Sequence, residues 1–270
     1  MEDEAAPQSD TTGLELRTYF VRKRNALLAR AAFDELYVDY YLHLAENGMQ
    51  YAGSHDRLFK EALAALTLHC ASRPRNETVA WTLNFQEPLV NLFVGGDNSS
   101  GGVAGQLFTQ HVKENRSNLL FADVIRGQEP LRRSVVEFEG RSVFRAVEKY
   151  YLQSEQRAGR YFEFSEEDFV LISSQPDCDS KWLESLTDAD IRVLDRKEEL
   201  SLLETRRYRW HCGCNQGRIM ELLAPVMKDG EQGLFGGEEL LRISCPRCGA
   251  RYKVTREAME AHMAGKTKSF

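Results

Sequence analysis

The spacing of apolar positions divides the chain into stretches of different period. In "DRLFKEALAALTLHC", Leu58, Ala62, Leu66 and Cys70 recur at spacing four, joined by Phe59, Leu63 and Ala65, which predicts an amphipathic helix. From about residue 13 to 72 the pattern as a whole reads as helical. Between 79 and 136 the period shortens. "TVAWTLNF" and "LVNLFVGG" are β-type runs bounded by Pro88 and the "GGDNSSGG" turn, and "VVEFEG" is a further strand. "RSVFRAVEKYYLQSEQ" returns to helical spacing through Val143, Val147 and Tyr151, and "RYFEF" with "DFVLIS" predicts a closing hairpin. Helices and strands segregate more than they alternate, so the expected class is α+β.

Residues 177–210 break with this pattern, since 16 of these 34 side chains are Asp, Glu, Lys or Arg. Apolar positions in "WLESLTDADIRVLDRKEELSLLE" keep roughly helical spacing. Such a stretch either docks as amphipathic helix, because short isolated helices are marginal in water, or stays a solvated linker; the sequence leaves both open.

Composition narrows the picture. A chain of 270 residues with 42% hydrophobic side chains can build one large or two smaller domains. The net charge of −6 and pI near 5.6 argue against a nucleic-acid or membrane-surface binder. The Gly-rich turn lacks both phosphate-binding patterns. The acidic start, "MEDEAAPQSDTTG", is expected to be a disordered tail over residues 1–12 and has no secretory-signal character. No apolar run approaches the roughly 20 residues that span a bilayer, so a cytoplasmic location is expected. The N-x-S/T matches at Asn76, Asn98 and Asn115 are read as chance.

Chemistry enters with the cysteines. Four of the six fall within 37 residues, as Cys212 and Cys214 in "HCGCNQGR" and Cys245 and Cys248 in "SCPRCGARY". In a reducing compartment such clustering points to metal or redox chemistry. Four thiolates form a closed, structural type of zinc site with no position left for a substrate. His211 is a competing ligand by residue type, but four cysteines already fill the shell, so it is expected to be a neighbour of the site. Zinc with four thiolates carries a formal −2, and Arg218, Arg247, Arg251 and Lys253 lie close in sequence. Residues 211–270 hold little apolar material, so the metal is expected to supply most of their folding energy, on the order of 10–16 kcal/mol. Gly213 lets the backbone turn tightly enough for both flanking sulfurs to reach one ion. Cys70 beside His69 does not make a catalytic pair, because adjacent helical residues point about 100° apart; a buried thiol is expected. Cys178 is read as a bystander.

Three functions are compatible with these residues. One is a redox-responsive metal module on a binding protein. Another is a zinc ribbon for nucleic acid, although residues 211–270 carry nine basic and seven acidic side chains and lack an aromatic platform. The third is a thiol oxidoreductase using Cys245–Cys248, which would require that motif to open a helix, whereas "LLRISCPRCGARYKV" reads as strand, knuckle, strand.

The C-x-C and C-x-x-C pairs separated by 30 residues, with Gly249 and Tyr252 following, resemble the C-terminal signature of the HslO family, the 33 kDa chaperonins. "FEGRSVFRAVEKYYLQSEQ", with Ser154, Glu155 and Gln156, and "EPLVNLFVGGDNSSGGVAGQL" resemble the family further upstream, so that the likeness runs over about residues 14–268. Arg157–Ala158 replaces a frequent Pro-Thr, a glycine expected near Glu87 is missing, and the segment before Cys212 is shorter than usual. The resemblance implies a non-enzymatic, ATP-independent holdase. Its parts would be a chaperone core (13–176), a metastable charged helical linker (177–210) and a zinc-binding redox-switch domain (211–270). It implies one Zn²⁺ per chain on Cys212, Cys214, Cys245 and Cys248 in the reduced, inactive form. Oxidation would form the disulfides Cys212–Cys214 and Cys245–Cys248, release zinc and unfold the linker. The active form would capture unfolding client proteins and dimerise, with no nucleic-acid or membrane partner. A disulfide across so short a loop is strained and therefore easily reduced, which suits a reversible switch.

Overall fold

The computed structural model describes residues 12–127, 129–228 and 234–267, with side chains to residue 264; the tail expected over residues 1–12 lies almost entirely outside them. Alternating burial sets the strands. β3 (Glu77–Gln86) buries Val79, Trp81, Leu83 and Phe85 on one face, and its neighbours β4 (Leu89–Asp97) and β6 (Asn118–Arg126) do the same with Val90, Leu92 and Val94, and with Leu120, Ala122 and Val124. With β5 (Gly102–Phe108) and β7 (Glu129–Phe138) they form an antiparallel half-sheet. A second half comprises β1 (Leu14–Val21), β2 (Ala26–Ala32), β8 (Gly159–Ser165) and β9 (Asp168–Ser174). One strand, β10 (Leu200–Trp210), joins the halves into ten strands in the order β7-β6-β3-β4-β5-β10-β1-β2-β9-β8. Sheet and helices segregate as an α+β fold requires.

Helices α1 (Asp34–Glu46), α2 (Gly53–Ala71) and α3 (Val143–Gln153) cover the inner face. Every residue of α2 from Ala62 to Ala71 is buried. A helix apolar on all sides belongs in the middle of a core, and α2 packs on strands of both halves. Cys70 lies on it fully buried, and burial pushes its thiol up to about 12. His69 points away to accept or donate at Tyr151 Oη, 2.7 Å from Nδ1. The pair is structural, as its helical spacing requires.

The Ser154–Glu155–Gln156 tripeptide has a structural task. Glu155, with 4% of its side chain exposed, accepts from Tyr150 Oη at 2.7 Å and Arg73 Nη1 at 3.1 Å, and pairs with Arg132. Arg73 also binds Glu77, which pairs with Arg126. This chain of ions ties the end of α2 to β3, β6, β7 and the end of α3. Burial raises the Glu155 carboxyl, but His69, Tyr150, Arg73 and Arg132 pull it down to about 2.

Two expectations need correction. Residues 14–32 are strands, not helix. Leu14 and Leu16 alternate with exposed or half-buried neighbours in β1, while the Ala-rich β2 is held by pairing to β1 and β9 against its own helical propensity. The charged segment is helical only in part. α4 (Ser180–Ser185), α5 (Asp188–Ile191) and α6 (Leu194–Lys197) are short helices, and residues 200–210 are β10. Of the two alternatives for this segment, docking holds over 180–197: Leu183, Leu186, Ile191 and Leu194 are buried on the outer face of the sheet against Val21, Ala26, Leu28, Phe162, Val170 and Ile172. That second layer explains why β9 is a continuous apolar run, since both of its faces are covered. No helix among the described residues is long and apolar enough to cross a membrane.

Candidate metal centre

β10 ends at Trp210, and Cys212 follows after His211. Gly213, between the first two cysteines, takes φ +69°, a left-handed conformation that glycine adopts without strain. Asn215 then caps α7 (Gln216–Lys228), its side-chain oxygen accepting the Arg218 N–H at 2.9 Å. Cys245 and Cys248 occupy the turn between β11 (Leu240–Ser244) and β12 (Arg251–Thr255), a hairpin registered Ser244↔Arg251 to Leu240↔Thr255. Inside the turn, the Gly249 N–H donates to Cys245 O and the Cys245 N–H to Ala250 O, both at 2.8 Å. The motif is thus strand, knuckle, strand. It does not open a helix, as an oxidoreductase C-x-x-C would. α8 (Arg256–Thr267) packs with α7 and the hairpin around Ile219, Met227, Phe235, Val254 and Met259.

All four sulfurs lie within 4.8 Å of one another. Cys212 Sγ is 3.8 Å from Cys245 Sγ, and Cys214 Sγ is 3.5 Å from Cys248 Sγ. Tetrahedral zinc with bonds of about 2.3 Å separates its sulfurs by about 3.8 Å, so the donors and their spacing fit such an ion. Cys245 and Cys248 are buried and the C-x-C pair is half-buried. His211 is outside this group; its backbone N–H donates to Val103 O at 2.9 Å.

The electrostatics are uneven. Thiol hydrogen bonds, first from Cys248, bring the Cys212 thiol down to about 5 against the opposing effect of burial, and Arg247 adds to the lowering. The Cys214 thiol is raised by burial, and Cys248 is raised by its bond to Cys212 and by burial. Tyr252 donates its hydroxyl to Cys214 Sγ at 3.0 Å, an outer partner for that sulfur. Of the four cations near the cysteines in sequence, Arg247 is the one that contributes most to lowering Cys212. Arg218 donates to Gly213 O at 2.7 Å, holding the tight turn. Arg251 is directed to the end of α1, donating its backbone N–H to Asn47 Oδ1 at 2.8 Å. The carbonyl of Lys253 accepts from Gln216 Nε2.

The cysteine module is seated on the core by residues the sequence did not single out. His43 donates through Nε2 to Cys248 O at 2.8 Å and lies beside Trp210, with ring centroids 5.1 Å apart. Gly249 takes φ +76°, a conformation that favours glycine, and a Cβ there would fall 2.5 Å from Met49 Sδ, so that the methionine would have to shift. Ala104 of β5 is buried among Cys245, Cys248, Trp210 and Tyr252. His43, Asn47 and Met49 lie some 200 residues from the cysteines, and nothing local marks them. Cys178 stands apart under α4, its thiol raised by burial.

Comparison with known proteins points one way. The family model described as "Hsp33 protein" matches residues 171–255. The 33 kDa chaperonin of Edwardsiella ictaluri is 23% identical over 259 residues, 83% of this chain and 87% of that one. The 33 kDa chaperonin of Nitrosococcus oceani is 23% identical over 155 residues, 50% of this chain and 53% of that one. The crystal structure of the Thermotoga maritima 33 kDa chaperonin superposes with a TM-score of 0.70 at 13% identity, covering 95% of this chain and 99% of its own. The matched region runs through the docked helices, β10 and all four cysteines, and the fold is shared along nearly the whole chain, so the protein is similar to Hsp33 proteins in sequence over residues 171–255 and in fold almost throughout.

Proposed function

We propose that this chain is a redox-regulated, ATP-independent holdase, not an enzyme, that captures unfolding proteins under oxidative and heat stress. The observation that carries the reading is the gathering of four sulfurs into a single metal-sized cluster that begins two residues after the end of β10. In the reduced form Cys212, Cys214, Cys245 and Cys248 hold one Zn²⁺, which when bound would keep all four sulfurs as thiolates. Residues 13–176 act as the core, 177–210 as the metastable segment and 211–270 as the switch.

On oxidation each cysteine pair surrenders two electrons to one peroxide molecule, whose O–O bond breaks and whose oxygens take two protons from solvent to give two waters, while an S–S bond forms within Cys212–Cys214 and within Cys245–Cys248. Sulfurs tied in disulfides no longer serve as ligands. The module's own core is small, built around Ile219, Met227, Phe235, Val254 and Met259. Without ion binding worth on the order of 10–16 kcal/mol it unfolds. Tension at Cys212 passes into β10 and to the three short helices before it. Their release uncovers Val21, Ala26, Leu28, Phe162, Val170 and Ile172, an apolar face suited to unfolded clients. The opened chain dimerises, and the work is done in the cytoplasm.

The test is to measure zinc in the reduced protein, add peroxide at raised temperature, and follow zinc release beside light scattering of a heat-denaturing client. Release of about one equivalent together with suppressed scattering is expected. Zinc retention with no suppression would sink the proposal, and salt-sensitive RNA binding by the reduced form would replace it.

A further inference from the structure

We propose that the free edge of β5 is a strand-addition site for an extended, uncharged segment of an unfolding polypeptide, stoppered here by the cysteine module. The inference rests on the reading that oxidation frees that module. It assigns a client-binding surface separate from the face under α4–α6.

β5 is paired with β4 along its whole length, from Asn91↔Phe108 to Asp97↔Gly102. On its other side β10 pairs only at Gly102 and Val103, in parallel, with flanking bonds from the Arg209 N–H to Gly101 O and the His211 N–H to Val103 O, each 2.9 Å. Beyond Val103 no strand follows among the described residues. The cover is instead built from the module and one loop side chain. Ala104, 1% exposed, lies against Cys245 and Cys248. The Gln106 side chain abuts Gly249, and the Leu107 N–H donates to Tyr51 Oη at 3.3 Å. The Val103 carbonyl and the Leu107 amide both face this edge. The pleat therefore directs the N–H and C=O of Gly105 to it as well.

The composition of this edge sets it apart from the permanent ones. β7, at one end of the sheet, carries Pro130, Arg132, Arg133 and Glu137 and a register shift opposite Val124 and Ile125. β8, at the other end, carries Arg160 and Glu163. Charges, proline and irregular register are the usual devices that keep an exposed strand from pairing with another chain. β5 reads "GVAGQLF", with no charge and no proline. Such an edge is tolerated only under cover, and uncovered it is a template for any extended backbone with unpaired amides. An unfolding polypeptide supplies those, and the neutral edge places no charge demand on its sequence.

The test uses the full-length protein, reduced and zinc-loaded, or oxidised. The probe is a fluorescent eight-residue Thr/Val peptide, and the same peptide N-methylated at alternate residues. Binding is read by anisotropy and β5 by hydrogen exchange. The oxidised protein is expected to bind the plain peptide at least about ten-fold more tightly than the reduced protein does. It should also favour the plain peptide over the methylated one by a similar factor, with exchange at residues 103–107 slowed by the plain peptide alone. Equal binding of the two peptides, or no slowing of exchange in β5, overturns the edge proposal; if client scattering is still suppressed, the holdase reading survives without it. Protection of β5 that rises with protein concentration in the absence of peptide assigns the edge to a second copy and also overturns it. Peptide-dependent protection in chelator-treated, reduced protein that fails to suppress scattering would support the edge while removing the holdase.

Discussion

Tyr252 shows how much of the centre a single side chain decides. Its hydroxyl donates to Cys214 Sγ, and Cys214 is a sulfur whose thiol is otherwise raised by burial. A donor on the sulfur stabilises the thiolate that a metal requires, and partners of ligands commonly change metal affinity by about 10–100-fold. Tyr252→Phe removes the donor and keeps the ring in contact with Ala104 and the cysteines. Zinc affinity measured against a competing chelator is expected to fall roughly ten-fold, with the circular dichroism of the zinc-loaded form unchanged; an unaltered affinity would leave the tyrosine a packing residue only. At this scale the sequence was legible wherever spacing is local. The four cysteines, Gly213 and the seclusion of Cys70 all follow from neighbours within a few positions. The residues that seat the module, His43, Asn47 and Met49, meet it only through the folded chain, and no local pattern marks them.

Elements with a one-sided or all-round apolar pattern were equally legible, α2, α3, β3, β4, β7 and the β8–β9 hairpin among them. β10 was not, for a physical reason. Among its eleven residues only Tyr208 is fully buried, so there is no period-two stripe to read. The strand is held by its main-chain ladder to β1 and by polar anchors. Arg206 donates to Arg73 O at 2.8 Å and Tyr208 donates to Asn98 Oδ1 at 2.9 Å. The helices before it depend on four apolar side chains. Each is short, and only α4 and α5 carry side-chain caps, from Asp179 and Thr187. Thinning that contact should loosen the segment without touching the metal. Ile191→Ala deletes a buried side chain at a cost of about 2–4 kcal/mol. That corresponds to roughly 30- to 900-fold more opening at equilibrium. Proteolysis of the reduced, zinc-loaded variant is expected to begin within residues 180–197 and to proceed faster than in the parent by a factor in that range. Cleavage confined to residues beyond 211 would mean that docking of the short helices does not limit opening.

In the whole molecule the two half-sheets are spanned by α2 and bridged by β10, an arrangement fixed by pairings between residues as distant as Leu14 and Tyr208 and therefore absent from any local reading. The same long-range packing sets the acid limit of the core. His69 is buried beside Trp81, Tyr150 and Tyr151, and burial brings its pKa down from 6.5 to about 3 despite the opposing effect of Glu155. Glu155 lies at about 2 instead of 4.5. Both folded values are depressed, so each group contributes stability that is fully present above its unfolded pKa and is lost as pH falls through the folded one. For His69 the loss begins near pH 6.5 and continues towards about 3; for Glu155 it begins near 4.5 and continues towards about 2. The slope contributed by each is at most about 1.4 kcal/mol per pH unit. Denaturant unfolding of the parent, His69→Gln and Glu155→Gln from pH 7 to 3 separates them, because titration of the cysteines is common to all three and cancels on subtraction. The parent is expected to lose stability more steeply than His69→Gln between pH 6 and 4. Glu155→Gln should be less stable by about 3–5 kcal/mol at pH 7, as expected when one member of a buried ion network is removed. That gap should then narrow below pH 4.5, where the parent carboxylate must take up a proton as it unfolds. Parallel curves across the whole range would mean that neither group holds its depressed pKa in the folded core, and that the ion chain from Arg126 to Arg132 does not anchor the sheet to its helices.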